Sequence, residues 1–308
     1  MKEGVVIKST GSWYHVKPDE GGTISCKIKG KFRLNDTKAT NPVAVGDRVR
    51  FSYDEKSETG LIEEIQDRKN YIVRRASNLS RQTQILAANI DQAILVATIN
   101  YPITTPVFID RFLATTEAYD IPTTIIFNKI DRYDHLNLEH LQETVEIYKN
   151  IGYHVLTTSA KTDENLTPVK ELLKDSTSIL AGHSGVGKST MINRIEPSLN
   201  LKTAKISDQH RTGRHTTTFA EMHPLSFGGY IIDTPGIRGF GLHNIEKEEL
   251  FHFFREIFQH AKECRYHNCT HLHEPGCAVK EAVDRGEIAS SRYNSYVSIF
   301  LNRDEKYR

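Results

Sequence analysis

Residues 182–189 read GHSGVGKS, preceded by the apolar run TSILA and followed by STMINRI. A strand that turns through a glycine-rich loop into a helix opening on Lys-Ser fits the pattern G-x-x-x-x-G-K-[ST]. Gly182, Gly185 and Gly187 let backbone amides converge on an anion without obstruction, and the helix N-terminus adds partial positive charge. Lys188 is placed to reach β- and γ-phosphates, and the Ser189 hydroxyl suits Mg²⁺. The run Gly182, His183, Ser184, Gly185, Val186, Gly187, Lys188, Ser189 and Thr190 is therefore expected to surround the phosphates of a nucleotide.

GYIIDTPG (229–236) supplies the complementary half. Asp233, at the end of an apolar strand, fits a carboxylate holding Mg²⁺, and Gly236 can offer its amide to the terminal phosphate. Between the two lies KISDQHRTGRHTTTFAEM, in the position of a switch. One of Thr216, Thr217 and Thr218 is expected on Mg²⁺ and the γ-phosphate, with Thr217 favoured. Ile237 follows DTPG and cannot hydrogen-bond water, so intrinsic hydrolysis is expected to be slow. His215 is the candidate to orient or activate the attacking water, although a switch histidine can also simply face solvent. Arg211 and Arg214 suit either a cis arginine finger or contact with a polyanion.

Upstream stands IPTTIIFNKIDRYD. Asn128-Lys129-Ile130-Asp131 at a strand end matches a guanine reader. The Asp131 carboxylate can accept from N1–H and N2–H₂ together, a donor pair that adenine lacks. Asn128 can brace neighbouring loops, and the Lys129 stem can lie over the base. Ser159-Ala160-Lys161, at the next strand end, matches the remaining guanine-contacting loop. The base elements thus precede the phosphate elements, the reverse of an ordinary GTP-binding domain. A parallel sheet tolerates this, because strand neighbours are set by packing and surface termini can be joined and reopened elsewhere. The order implies a circularly permuted GTPase fold.

Around that core the pattern changes twice. Residues 4–73 alternate short β-rich runs with turns (GVVIKS, SWYHVK, GTISCKI, GDRVRFSY, GLIEEIQ), as a small barrel requires. From about 85 to 240 strands alternate with helices: strands over 91–99, 123–127, 153–159, 177–182 and 229–233, helices over 108–120 and 138–152. Beyond DTPG the pattern predicts helices over 246–264, 278–286 and 291–308. The expected fold class is a multidomain chain. An OB-like β-barrel spans 1–73, a permuted α/β P-loop GTPase domain with a mostly parallel sheet spans 74–242, and a helical zinc-binding domain spans 243–308.

The zinc expectation rests on CRYHNCTHLHEPGC. Cys264, Cys269, His271 and Cys277 offer three thiolates and an imidazole, a closed tetrahedral set suited to a structural Zn²⁺; His267 or His273 can replace His271. The start, MKEGVVIKST, carries no signal-peptide pattern. No apolar run approaches the roughly 20 residues that span a bilayer. A cytoplasmic protein is expected, where crowded cysteines point to metal rather than disulfides. Net charge is +1, but residues 1–75 hold 15 Lys/Arg against 11 Asp/Glu, a skew suited to a polyanion.

With these residues placed, the chain resembles the bacterial ribosome small-subunit-dependent GTPase A family. The resemblance covers the barrel, the order NKID–SAK–GHSGVGKS–RHTTT–DTPG, and C-x4-C-x-H-x5-C. It implies a GTPase that binds the small ribosomal subunit, acts late in its maturation and is stimulated by it, with His215 assisting hydrolysis. It further implies GTP/GDP as ligand, Mg²⁺, one structural Zn²⁺, and ribosomal RNA contacts through barrel and zinc domain. Lys27, Lys29, Lys31 and Arg33 in CKIKGKFRL are the first candidates for phosphate contact, though a lysine run also serves as a solvated face. Trp13 and Tyr14 can stack on bases; Trp13 equally suits the barrel core. Nothing indicates an obligate dimer. The competing readings are a permuted GTPase of the large subunit, a P-loop kinase of a small metabolite, and a zinc-bearing RNA-binding protein holding GTP as a structural ligand.

Overall fold

The structure, a computed structural model, describes residues 1–29, 42–75, 83–201, 220–233 and 245–302. Strands β1 (Lys2–Ser9), β2 (Tyr14–Pro18), β3 (Ile24–Ile28), β4 (Arg48–Asp54), β5 (Thr59–Ile65), β6 (Tyr71–Arg75), β7 (Thr83–Ala88) and β8 (Gln92–Ala97) open the chain. Helix α1 (Pro106–Ala118), β9 (Thr123–Phe127), α2 (His135–Asn150), β10 (His154–Thr157), α3 (Leu166–Leu173), β11 (Thr177–Ala181) and α4 (Lys188–Ile195) follow. Then come β12 (Glu221–Pro224), β13 (Tyr230–Asp233), α5 (Arg255–Ala261), α6 (Ala278–Asp284) and α7 (Ser290–Phe300). The chain divides into two compact units, Met1–Ala93 with Thr167–Leu180 and Ile192–Phe240, and Ile94–Leu166 with Ala181–Met191 and Gly241–Arg308.

In the first unit β1 to β5 close a barrel in the order β1-β2-β3-β5-β4, with β4 returning to β1. Only the β3–β5 pairing is parallel. Alternation does the work. In β2, Tyr14 and Val16 point inward while His15 and Lys17 are half-buried, and Val6, Cys26, Val49, Phe51 and Ile62 complete the core. Gly60 is required by close packing, since a Cβ there would land on the Cys26 sulfur and press on the Phe51 ring. Burial pushes the Cys26 thiol up to about 11, so it is a packing group. Tyr14 is buried, which corrects its expected role on an RNA base: its inward register seats the ring in the core. Trp13 stays half-buried, with the Lys27 ammonium 4.5 Å from its ring centroid.

Beyond the barrel, β6 and β7 form a two-stranded sheet. β11 pairs parallel with β13, while the short β12 runs antiparallel to β13 and touches β1 at Lys8 and Glu221. β12 and the β6–β7 pair go beyond the elements expected from sequence.

The second unit is built on β9, whose five residues are all buried. It pairs parallel with β10, and β8 lies on its other side. Helix α1 begins at a Thr105 cap whose side chain accepts from the Phe108 amide. The helix expected over 246–264 is two pieces, a 3-10 turn over Lys247–Phe253 and then α5. Phe254 between them is extended (φ −112°, ψ 98°) and fully buried, which breaks the helix to place its ring in the core. That core joins Leu250, Phe254, Ile257, Val279, Ala282, Tyr296 and Ile299 to Ala114 of α1. Among the described residues no helix is long and apolar enough to cross a membrane.

Candidate guanine-nucleotide site and Cys/His centre

Asn128 directly follows β9, with 1% of its surface exposed. Its backbone amide donates to Ala97 O, and its carbonyl accepts from the Tyr133 hydroxyl (2.8 Å). The side chain spans two distant loops, with Nδ2 donating to Val186 O (2.8 Å) and Oδ1 accepting from the Ala160 amide (3.0 Å). One amide group therefore ties the strand end to the loop before α4 and to the Ser159–Lys161 turn. Sequence partners 58 and 32 residues away are drawn to one point.

The next residues repeat the theme. Lys129 adopts a left-handed backbone (φ 69°, ψ 31°), and its ammonium donates to Tyr101 O (2.6 Å) and to Gly185 O. Desolvation, with Arg132 nearby, lowers the Lys129 pKa. Asp131 is exposed within a short 3-10 turn, Ile130–Arg132. Its Oδ1 accepts from the Ser159 hydroxyl at 2.6 Å, which aims the carboxylate. Ser159 and Ala160 are buried, and Lys161 is exposed.

The loop 182–187 is shaped by its glycines. Gly182 (φ 137°) and Gly187 (φ 99°) lie in backbone regions that favour glycine. A Cβ on Gly182 would strike Val96 O, and one on Gly187 would strike the Asn128 amide nitrogen. Gly187 is thus demanded by the residue that braces the loop. Val186 is buried, and Lys188, Ser189 and Thr190 begin α4, where the Met191 amide donates to Gly187 O. Lys188 Nζ donates to Gly182 O and His183 O, both at 2.7 Å. The His183 ring stacks on Phe108, centroids 3.8 Å apart. The result is a glycine-shaped backbone loop with the Lys188 ammonium held against it and the Asp131 carboxylate joined to it through the Asn128 brace, groups chemically suited to a phosphate chain and a hydrogen-bond-donating base.

Not every expected residue falls within this description. Asp233 closes β13 in the first unit. His215, Thr217 and Gly236 lie outside the described residues, as do Arg211, Arg214, Thr216, Thr218, Ile237, Lys31 and Arg33. Lys27 on β3 and Lys29 just after it are exposed, Lys29 within 3.4 Å of Glu63. Tyr133, Tyr101 and Phe108 support the site without having been singled out from sequence. Only Tyr133 carried a signal, as the aromatic residue two positions after Asp131.

Cys264, Cys269, His271 and Cys277 converge, their ligand atoms all within 4.8 Å of one another. His271 Nδ1 lies 3.5 Å from both the Cys264 and Cys277 sulfurs, and those sulfurs are 4.0 Å apart. Zn–S bonds of about 2.3 Å and a Zn–N bond of about 2.05 Å give tetrahedral edges of about 3.8 and 3.6 Å. The donor set is compatible with zinc in chemistry and size. His267 and His273 are exposed, whereas His271 is 1% exposed in a left-handed backbone (φ 62°). Tyr293 donates to His271 O (2.7 Å) and Tyr296 to Thr270 O (2.9 Å), pinning the loop to α7. Burial pushes the Cys269 thiol up to about 12. Burial also opposes ionisation of Glu274, but the Thr270 hydroxyl and the Thr270 and His273 amides outweigh it and hold the carboxyl at about 2.

The chain is similar to known proteins over nearly its whole length. The RsgA GTPase family model matches residues 65–243, and the RsgA N-terminal domain model matches residues 3–62. The small ribosomal subunit biogenesis GTPase RsgA of Bacteroides fragilis is 54% identical over 307 residues, 99% of each chain. That of Flavobacterium johnsoniae is 50% identical over 99% of this chain and 94% of its own. Among solved structures, YjeQ from Thermotoga maritima superposes with a TM-score of 0.81 at 38% identity over 98% of both chains. YloQ, a circularly permuted GTPase, gives 0.75 at 32% identity, over 99% of this chain and 96% of that one. The reversed order of base and phosphate elements is thus shared with solved relatives, and the chain, a circularly permuted GTP-hydrolysing enzyme, belongs to the RsgA GTPase family.

Proposed function

We propose that this GTPase binds the small ribosomal subunit and its RNA in the cytoplasm, as a monomer. There it hydrolyses GTP to GDP and phosphate during late maturation of the subunit and is stimulated by it. The observation that carries the nucleotide reading is the Asn128 side chain, which bonds Val186 O of the phosphate loop and the Ala160 amide of the base loop at once. The subunit reading is supported by the names of the relatives, alike over nearly the whole chain.

In this reading Asp131 accepts from guanine N1–H and N2–H₂, the Lys129 stem lies over the base, and Ser159, Ala160 and Lys161 border its other edge. Amides from Gly182 to Thr190 hold the phosphates. Ser189, Thr217 and Asp233 would hold Mg²⁺, which when bound supplies positive charge to the β- and γ-phosphate oxygens. His215 orients a water for in-line attack on the γ-phosphorus. The bond from that phosphorus to the β–γ bridging oxygen breaks, and the water's proton leaves toward His215 or the phosphate product. Lys188 and the Gly236 amide meet negative charge as it develops on the leaving and equatorial oxygens. Cys264, Cys269, His271 and Cys277 would hold one structural Zn²⁺ that cross-links the helical segment. The functional domains are taken as 1–73, 74–242 and 243–308, with Lys27 and Lys29 of the first facing RNA phosphates.

GTP turnover measured with no addition, with small subunits and with large subunits tests this directly. Stimulation by small subunits alone, lost in His215→Ala with GTP binding retained, is expected. Equal turnover in all three mixtures would end the ribosomal reading. Phosphate transfer to a small metabolite would instead make the protein a kinase.

A further inference from the structure

We propose that Phe108 and Arg292 are positioning residues for the nucleotide loop: through α1 they fix that loop to the helical segment carrying the Cys/His centre, so that displacing the segment displaces Lys188. This rests on the GTPase reading above and adds to it a physical route between the two sites.

The chain of contacts is continuous. Lys188 Nζ donates to the carbonyls of Gly182 and His183, each at 2.7 Å, so the backbone of that turn sets the position of the ammonium. The His183 ring stacks on Phe108 with 29° between the planes. Phe108 lies in the first turn of α1, two residues before Asp110. Asp110 is fully buried and accepts from Arg292 of α7 at 2.6 Å and from the Tyr148 hydroxyl of α2 at 2.8 Å. Arg292 is itself 1% exposed and donates through Nε and Nη2 to Glu256 of α5, at 2.6 and 3.1 Å. The next residue of α7, Tyr293, donates to His271 O.

The face of α1 that carries these contacts is devoted to them. Val107, Asp110, Ala114 and Glu117 follow helical spacing. Val107 and Ala114 pack into the core of the helical segment, and Glu117 accepts from Arg255 of α5 (2.9 Å). Two buried charges committed to one geometry are not the cheapest way to pack a helix, since apolar residues of similar volume often serve as well. They do resist intermediate arrangements, so α1 moves with the helical segment as one body. A shift of that body carries Phe108 with it and turns the 182–184 backbone. Coupling of this kind is reciprocal, so filling the nucleotide loop also steadies the segment.

The test uses the full chain. Hydrogen exchange of amides 264–277 is followed with and without GDP, alongside GDP affinity and steady-state turnover, in wild type, Phe108→Leu, Phe108→Tyr and Asp110→Asn. In wild type, saturating GDP should slow exchange over 264–277 by about fivefold or more. Phe108→Leu should still bind GDP but lose most of that slowing, and its kcat should fall more than its affinity because Lys188 is misplaced. Phe108→Tyr, which keeps the stack, should restore both. Asp110→Asn leaves Arg292 its Glu256 partner and should uncouple from the other end, which keeps the test decisive even where Phe108→Leu folds poorly. Full-sized slowing in both Phe108→Leu and Asp110→Asn, or none in wild type at saturating GDP, would overturn the proposal while leaving the GTPase reading intact. Failure of the wild type to bind guanine nucleotides would instead sink that reading.

Discussion

Replacing Asn128 with alanine removes a side chain that is almost wholly buried and makes two main-chain hydrogen bonds, at 2.8 and 3.0 Å. The loss leaves Val186 O and the Ala160 amide without those partners, at residues that are themselves 0% and 3% exposed. Each buried unsatisfied group costs about 1–3 kcal/mol, so the sum is about 2–6 kcal/mol, less where water enters the gap. The cost should appear in two places. Chemical denaturation of the nucleotide-free protein should show lower stability. Binding of a fluorescent GDP analogue should weaken by at least about tenfold, because the base and phosphate loops must then be ordered together at the expense of binding energy, 1.4 kcal/mol for each decade. Wild-type stability with GDP affinity within about twofold of normal would refute the claim that this side chain organises the site.

Two further outcomes follow from the Cys/His loop. Metal capture there must displace protons from thiols that burial holds protonated, Cys269 at about 12. Affinity for Zn²⁺ should therefore rise steeply with pH, with protons released on uptake, as calorimetry in buffers of different ionisation enthalpy can measure; affinity independent of pH would contradict the thiolate assignment. For Glu274 the folded value of about 2 lies below the ordinary 4.5. Its ionised form therefore adds stability that is complete above about pH 5 and is lost as pH falls toward 2. Glu274→Gln should be less stable than wild type at neutral pH, with the gap closing on acidification; a gap constant from pH 7 to 3 would show that the carboxylate does not organise the loop.

The parts of the fold that sequence exposed are those where one residue type answers one local demand. TTIIF is a continuous β-branched and aromatic run, and β9 is fully buried over those five residues. The glycines of GHSGVGKS announce left-handed backbone whatever surrounds them. The helix expected over 246–264 failed because Leu250, Phe251, Phe253 and Phe254 look like one apolar stripe. Only tertiary packing shows that Phe254 leaves the helix to reach the core. β12, reading EMHP, is too short and polar to mark itself; it exists because β13 and β1 offer it partners. Tyr14 and Trp13 are neighbours with the same chemistry, and only strand register decides which one is buried. The contacts of α1 were illegible for a related reason. Asp110 and Arg292 are 182 residues apart, and neither belongs to a motif. His271 was favoured from sequence with His267 and His273 as replacements, and it is the buried one of the three.

The central claim is that Asp131, encoded before the phosphate loop, selects the base of the nucleotide that loop holds. The Ser159 hydroxyl at 2.6 Å from Oδ1 leaves the other carboxyl oxygen as the atom a substitution would change. Asp131→Asn keeps one acceptor for N1–H and turns its neighbour into a donor, which suits the C2 carbonyl of xanthine and faces the guanine amino group with a second donor. Competition binding of GTP and XTP to wild type and Asp131→Asn measures this most directly. Inversion of the preference, with GTP weakened by roughly 10³-fold or more, is the predicted result; an unchanged preference for GTP at near-normal affinity would show that the base is read elsewhere.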